Sequence, residues 1–244
     1  PLLLDSFIKI YCKTVQKLRL HNNTLLNKEK EEIKNILFSL YFCAMNSLFS
    51  TEPIVLNLPD ADIIYYPSFF DKEIADTLYN ELLHSIPWQQ DLIKVYGKEH
   101  NQPRLTALFG NDGKPYSYSN ITMQPHAWNL TLQKIKYQVE TITETNFTSV
   151  LLNYYRDGKD SNGWHADNEK ELGKNPVIAS ISLGAERVFQ LKHNTNSNLK
   201  QNILLEHGSL LLMKGSTQHC WKHQIPKTNK PIAGRINLTF RVIQ

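Results

Sequence analysis

The sequence predicts an α+β domain in which helices back a sandwich or barrel of short strands. Stretches of helical spacing recur before Thr143, within residues 1–50 and over residues 69–84 and 128–143. From Ser149 onward short apolar runs follow one another, punctuated by Gly, Asn, Asp and Pro. The composition, 41% hydrophobic and 20% charged over 244 residues, excludes wholesale disorder and allows a large core.

Phe7, Ile10 and Tyr11 fall at helical spacing, and residues 26–48 form a second candidate helix. Residues 1–50 therefore read as a helical extension of unassigned role, with Lys28-Glu29-Lys30-Glu31-Glu32 as a solvated helix start. Pro53 marks the boundary, and residues 51–244 form the main domain. Residues 61–66 read as a strand ended by Pro67-Ser68. Residues 69–84 read as a helix, because Ile74, Leu78 and Leu82 recur on one face and Ser68 or Asp71 can cap it. Another helix is expected over residues 128–143. Strands are expected at residues 149–155, 177–183, 188–193, 209–213 and 235–242, the pattern of a sandwich or barrel.

A net charge of +4 permits nucleic acid as a partner without demanding it. Three scattered cysteines (Cys12, Cys43 and Cys220) exclude a disulfide framework and point to a reducing, intracellular setting. That means the nucleus in a eukaryote or the cytoplasm in a bacterium. The longest apolar stretch, residues 36–49, falls short of the roughly 18 residues of a membrane span, so no membrane association is expected. The opening Pro1-Leu2-Leu3-Leu4 meets Asp5 too soon for a signal peptide.

The chemistry concentrates in three short pieces. In Asn162-Gly163-Trp164-His165-Ala166-Asp167 a turn feeds a short strand. His165 and Asp167, at i and i+2, point the same way and can reach one ion together. The third ligand must come from elsewhere in the fold. His219 and His223 are the candidates; we take His223, just before the apparent strand end at Gln224-Ile225-Pro226, and leave His219 as a surface or supporting group on the same strand. His207, before the Gly208-Ser209 turn, reads as structural. Two histidines and a carboxylate hold iron(II) on one face and leave positions open for substrate and O₂. In Arg235-Ile236-Asn237-Leu238-Thr239-Phe240-Arg241 polar and apolar residues alternate, the mark of a half-buried strand. Arg235 and Arg241 are guanidinium forks suited to a dicarboxylate, and burying them requires paired anions. Asn153 and Tyr155 can add neutral donors to the same pocket.

Together these residues resemble the AlkB family of Fe(II)/2-oxoglutarate dioxygenases, and most of all its branch that repairs double-stranded DNA. The resemblance covers roughly residues 55–244. It rests on Asn153-x-Tyr155-x-Asp157-Gly158, His165-x-Asp167, Ser180-Ile181-Ser182-Leu183-Gly184, Gly208-Ser209-Leu210-Leu211-x-Met213, His223 and Arg235-x-Asn237-x-Thr239-x-Arg241. It implies a double-stranded β-helix, or jelly roll, with supporting helices and a substrate-binding lid of hairpins. It implies iron on His165, Asp167 and His223, and 2-oxoglutarate among Asn153, Tyr155, Arg235, Asn237 and Arg241. Arg235 and Tyr155 would take the distal carboxylate, and Arg241 and Asn153 would lie near the chelating end. The implied reaction consumes O₂, decarboxylates 2-oxoglutarate and hydroxylates the N-methyl group of 1-methyladenine or 3-methylcytosine in DNA. Formaldehyde then leaves.

On the substrate side, Val95-Tyr96-Gly97-Lys98 and Pro103-Arg104 look like the finger hairpin of that branch. Tyr96 would fill the gap left by a flipped base and Arg104 would support the opposite strand. Tyr116 and Tyr118 resemble the segment lining the base pocket. Asn168 stands where many repair members carry an Asp expected to contact the base amino group, and Glu169 follows it. The expected partner is alkylated duplex DNA, the expected state a monomer. The same oxygenase chemistry on RNA or protein, and a non-catalytic nucleic-acid-binding module, are the alternatives.

Overall fold

Every strand pairing among the described residues is antiparallel, and two sheets face each other across an apolar core. The computed structural model describes residues 52–95, 97–111, 116–118 and 121–244, without the side chains at 94, 95, 116–118, 121 and 122. The expected helices of residues 1–50 lie outside the described residues.

In chain order the strands are β1 (Ile54–Leu56), β2 (Asp62–Tyr66), β3 (Leu92–Val95), β4 (Lys98–Asn101), β5 (Leu105–Gly110), β6 (Tyr116–Tyr118), β7 (Ile121–Met123), β8 (Ser149–Tyr155), β9 (Asn162–His165), β10 (Ile178–Gly184), β11 (Arg187–His193), β12 (Lys200–Leu205), β13 (Ser209–Lys214), β14 (Trp221–Ile225) and β15 (Arg235–Arg241). The helices are α1 (Lys72–Ser85), α2 (Leu130–Thr143) and the short α3 (Thr217–Cys220). The major sheet runs β1-β2-β13-β10-β15-β8-β5 and the minor sheet β12-β11-β14-β9. Two hairpins, β3-β4 and β6-β7, stand apart from both. This is the expected α+β arrangement with a jelly-roll core.

The helices start where local chemistry lets them. Asp71 caps α1, its carboxylate accepting from Ile74 N at 2.8 Å, and Asn129 caps α2 by accepting from Leu132 N at 2.8 Å. Of the two caps proposed for α1, Asp71 is the one used. Phe69 and Phe70, expected inside the helix, precede it and are buried. At the Phe70 backbone Gly208 comes so close, with φ +81°, that a side chain there would overlap the Phe70 carbonyl.

Alternation decides which faces meet. Leu151, Ile178, Leu211 and Met213 of the major sheet share a core with Phe189, Leu191, Ile203, Leu205 and Trp221 of the minor sheet. The opposite face of the major sheet packs on helices and loops: Phe240 stacks with Trp128 at 6.4 Å and meets Phe147 at 5.8 Å. Burying a Phe of this kind contributes about 2 kcal/mol. One expectation is corrected here. β15 is buried at all seven positions rather than half-buried. Its apolar face lies under the helical side, and its polar face looks into the pocket between the sheets instead of into solvent.

Candidate active site

The pocket opens between the two sheets and is lined by Asn153, Tyr155, His165, Asp167, His223 and Arg235 among others. Strand register builds it. β9 and β14 pair so that His165 lies directly opposite His223, their ring centroids 4.3 Å apart. Asp167 follows β9 by two residues and turns to the same side. One atom each of His165, Asp167 and His223 lies within 4.8 Å of the other two. The structure therefore brings together the three ligands proposed from spacing, including His223 rather than His219. His219 sits in α3 instead of on a strand, where its ring accepts from Asn175 N at 3.3 Å. His207 has the structural role expected of it, accepting from Gly184 N at 2.8 Å.

The protonation states suit a cation. His165 Nδ1 lies 2.7 Å from Gly163 O, so it carries the proton, and Nε2 is the acceptor nitrogen, 3.2 Å from Asn162 Nδ2. Burial, followed by the field of His165, pushes the His223 imidazole down to about 3, so it is neutral. Burial alone would raise Asp167. The Arg241 guanidinium and both imidazoles outweigh it and hold the carboxyl at about 2. Arg241 Nη2 donates to Asp167 Oδ1 at 2.8 Å, and Gln218 Oε1 accepts from Asp167 N at 2.9 Å. Gln218, buried in α3, escaped sequence reading because nothing in its neighbours marks it as an anchor for a residue 51 positions away. Two neutral imidazoles and one carboxylate on one side of a half-open pocket fit iron(II).

The arginines divide differently from the expectation of two equivalent forks. Arg241 is already paired with Asp167. Arg235 is 1% exposed, has no carboxylate partner among the described residues, and donates from Nη2 to Ser182 Oγ at 2.8 Å. Its Nε and Nη1 have no hydrogen-bond partner among the described residues. Burial pushes this guanidinium down to about 10. It lies over the Tyr155 ring, to which it is register-paired. A buried cation with two unsatisfied donors fits an incoming carboxylate. Asn153 and Asn237 are instead largely used by the protein. Asn153 Oδ1 accepts from Arg104 Nε at 2.7 Å, and Asn237 Nδ2 donates to Ser180 Oγ at 2.8 Å and to Ile181 O at 3.0 Å.

The proposed substrate residues are placed as follows. Tyr96 lies outside the described residues, and the side chains of Tyr116 and Tyr118, on β6, are not described. Arg104 is 4% exposed and also donates to Ser161 O at 3.2 Å, so the structure sets it in the wall beside Asn153 rather than on an outer surface. Asn168 is exposed. Glu169 is half-buried, and burial together with Asp167 raises its carboxyl. A second trio, Asp60, His193 and Cys220, also converges. There, however, His193 Nδ1 accepts from the backbone of Thr195 and Asn196, which leaves the proton on Nε2, facing Asp60 at 3.4 Å. That geometry points an N–H, not a lone pair, at Asp60 and leaves no ring nitrogen for a metal.

Residues 62–241 match the 2OG-Fe(II) oxygenase superfamily. Human DNA oxidative demethylase ALKBH2 is 36% identical over 188 residues, 73% of this chain and 72% of that protein. The chain belongs to the AlkB family of 2OG-Fe(II) oxygenases. Human alpha-ketoglutarate-dependent dioxygenase alkB homolog 3 is 40% identical over 190 residues, 74% of this chain. This AlkB-family chain spans 66% of that relative, just under two thirds. A solved structure of OsALKBH1 superposes with a TM-score of 0.56 at 16% identity, covering 78% of this chain and all of that one; it supports the fold alone. The family's cofactor set is Fe(II), 2-oxoglutarate and O₂. Among the described residues no helix is long and apolar enough to cross a membrane.

Proposed function

We propose that this chain oxidatively demethylates N-alkylated bases of the 1-methyladenine and 3-methylcytosine class in DNA. The observation that carries the reading is Arg235, a buried and partly unsatisfied guanidinium facing the same pocket as His165, Asp167 and His223. A site with a metal triad and one waiting cation accommodates a co-substrate that chelates the metal at one end and ends in a carboxylate at the other. His165, Asp167 and His223 hold the iron, which when bound supplies O₂ activation coupled to 2-oxoglutarate decarboxylation. Arg235, with Tyr155 beside it, anchors the distal carboxylate, and Arg241 keeps Asp167 ionised and oriented. One oxygen atom ends in succinate and the other in an N-hydroxymethyl group. That hemiaminal loses formaldehyde and returns N–H to the base.

The substrate assignment rests on the relatives. One of them is named a DNA oxidative demethylase. Glu169 and Asn168, next to Asp167, are the groups we assign to the base, with Tyr116 and Tyr118 lining its pocket. Tyr96 serves a flipped base in a duplex, whereas Arg104, buried and bonded to Asn153 and Ser161 O, braces the pocket wall instead of the opposite strand. The chain acts as a monomer inside the cell, in the nucleus of a eukaryote or the cytoplasm of a bacterium. The test is formaldehyde release and base repair on a duplex bearing one 1-methyladenine, with iron(II), ascorbate and 2-oxoglutarate. A matched single strand and His165→Ala serve as controls. Repair that needs iron and 2-oxoglutarate and vanishes in the variant is expected. Succinate formation without repair would move the substrate to RNA or protein; no turnover at all would leave a binding module.

A further inference from the structure

The outer face of the minor sheet carries a row of lysines that the chemistry inside the pocket does not use. Register pairs Lys192 on β11 with Lys200 on β12 on one side and with Lys222 on β14 on the other. The three side chains alternate with the inward residues Leu191, Gln201 and His223, so all of them point away from the core. Like charges directly opposite each other on a sheet are destabilising. None of the three makes an ion pair among the described residues. The next row, Asn202, Gln190 and Gln224, is neutral amide, and the outward positions of these strands bear no carboxylate. The fold thus holds three uncompensated cations in line across three adjacent strands.

The row leads to the metal-ligand strand. Lys192 Nζ lies 4.3 Å from the centroid of the Trp164 ring, a cation–π contact. Trp164 is 38% exposed and immediately precedes His165 on β9, the strand at the sheet's edge. Lys222 immediately precedes His223. Adjacent strands stand about 4.8 Å apart, so the row presents positive charge for about 10 Å across the outside of the wall that carries two metal ligands.

We propose that this lysine row binds the phosphodiester backbone of the nucleic-acid strand that enters the site, gripping nucleotides beyond the one undergoing reaction. The proposal rests on the nucleic-acid reading above and names a surface that reading does not need. Lysines are point charges that neutralise phosphates without reading sequence, so the contact adds affinity and salt dependence but no base preference.

The test compares the full chain with Lys192→Gln/Lys200→Gln/Lys222→Gln on two single-stranded DNA probes, a 16-mer and a trimer, each with one 1-methyladenine. Affinity for the 16-mer is measured across a salt series by fluorescence anisotropy. For single strands each phosphate neutralised contributes about 0.7 to the slope of log K against log salt. The variant's slope should fall by about 2, with its Kd raised tenfold or more, while turnover of the trimer stays within twofold of the parent. An unchanged slope and Kd overturn the proposal, as does an equal loss on both lengths. If neither protein turns over any probe, the demethylase reading fails and the salt slope still decides the surface.

Discussion

Arg235→Met should make the ligand-free protein more stable while removing most of its affinity for 2-oxoglutarate. The guanidinium is fully buried with no carboxylate partner among the described residues, and burial pushes it down to about 10. That corresponds to about 3 kcal/mol favouring its neutral form. The penalty is fully present below about pH 10 and fades only as pH rises above it, so at pH 7.5 the folded state carries all of it. Methionine fills similar space without charge, which removes the penalty. Against this stands the lost bond to Ser182 Oγ, about 1–2 kcal/mol. Burial wins, and the net gain is about 1–2 kcal/mol, or roughly 2–8 °C in Tm for a domain of this size. Breaking a buried ion pair, by contrast, costs about 3–5 kcal/mol, so affinity for 2-oxoglutarate should fall at least a hundredfold. Urea unfolding and thermal shift, with and without 2-oxoglutarate under anaerobic Mn(II), measure both. A variant less stable by 2 kcal/mol or more that 2-oxoglutarate still stabilises would refute the reasoning.

Acid should destabilise the metal-free domain in two stages. His223 is held at about 3 against 6.5 when unfolded, so stability declines as pH falls below about 6.5; Asp167, held at about 2 against 3.8, adds a further loss below pH 4. Urea midpoints from pH 7.5 to 3 should fall steadily, and His223→Gln should flatten the upper part; a midpoint constant down to pH 5 would contradict the sign for His223, and one constant from pH 4 to 3 the sign for Asp167. Gly158→Ala should cost about 2 kcal/mol or more, because its added carbon would overlap the Thr228 carbonyl and side chain, and that loop also accepts Thr228 N on Gly158 O at 2.8 Å. Unfolding free energies within 0.5 kcal/mol of the parent would show that the loop gives way.

What the sequence made legible was what alternation and capping encode locally. β8, bounded at Ser149 and Tyr155, matches its apolar run residue for residue, and α1 keeps its face of Ile74, Leu78 and Leu82. The convergence of His165, Asp167 and His223 was legible because His165 and Asp167 share a side by parity and His223 sits just before a strand end. β12 and β14 were missed as complete strands because Lys200, Asn202 and Lys222 break their apolar character; only register against β11 makes them strands. Burial of the polar face of β15 was also out of reach. Arg235, Asn237 and Thr239 look like a wet surface until β8, β10 and the minor sheet close over them. The partnership of Gln218 with Asp167 likewise depends on the final placement of a four-residue helix.

The unequal fates of Arg235 and Arg241 follow from charge count. Among the side chains that line the pocket, two guanidiniums and one carboxylate are charged at neutral pH and both imidazoles are uncharged, a net of one positive charge. Arg241 is the cation in contact with Asp167, so it offsets that carboxylate and leaves Arg235 carrying the excess. A divalent metal alone would raise the excess beside Arg235, and a dianion alone would reverse it. Metal and dianion together restore the starting value. On the proposed assignment Arg235 is the residue on which a preference for a doubly charged co-substrate would rest, since replacing it would leave His165, Asp167, His223 and Arg241 intact but remove the charge that the distal carboxylate would neutralise.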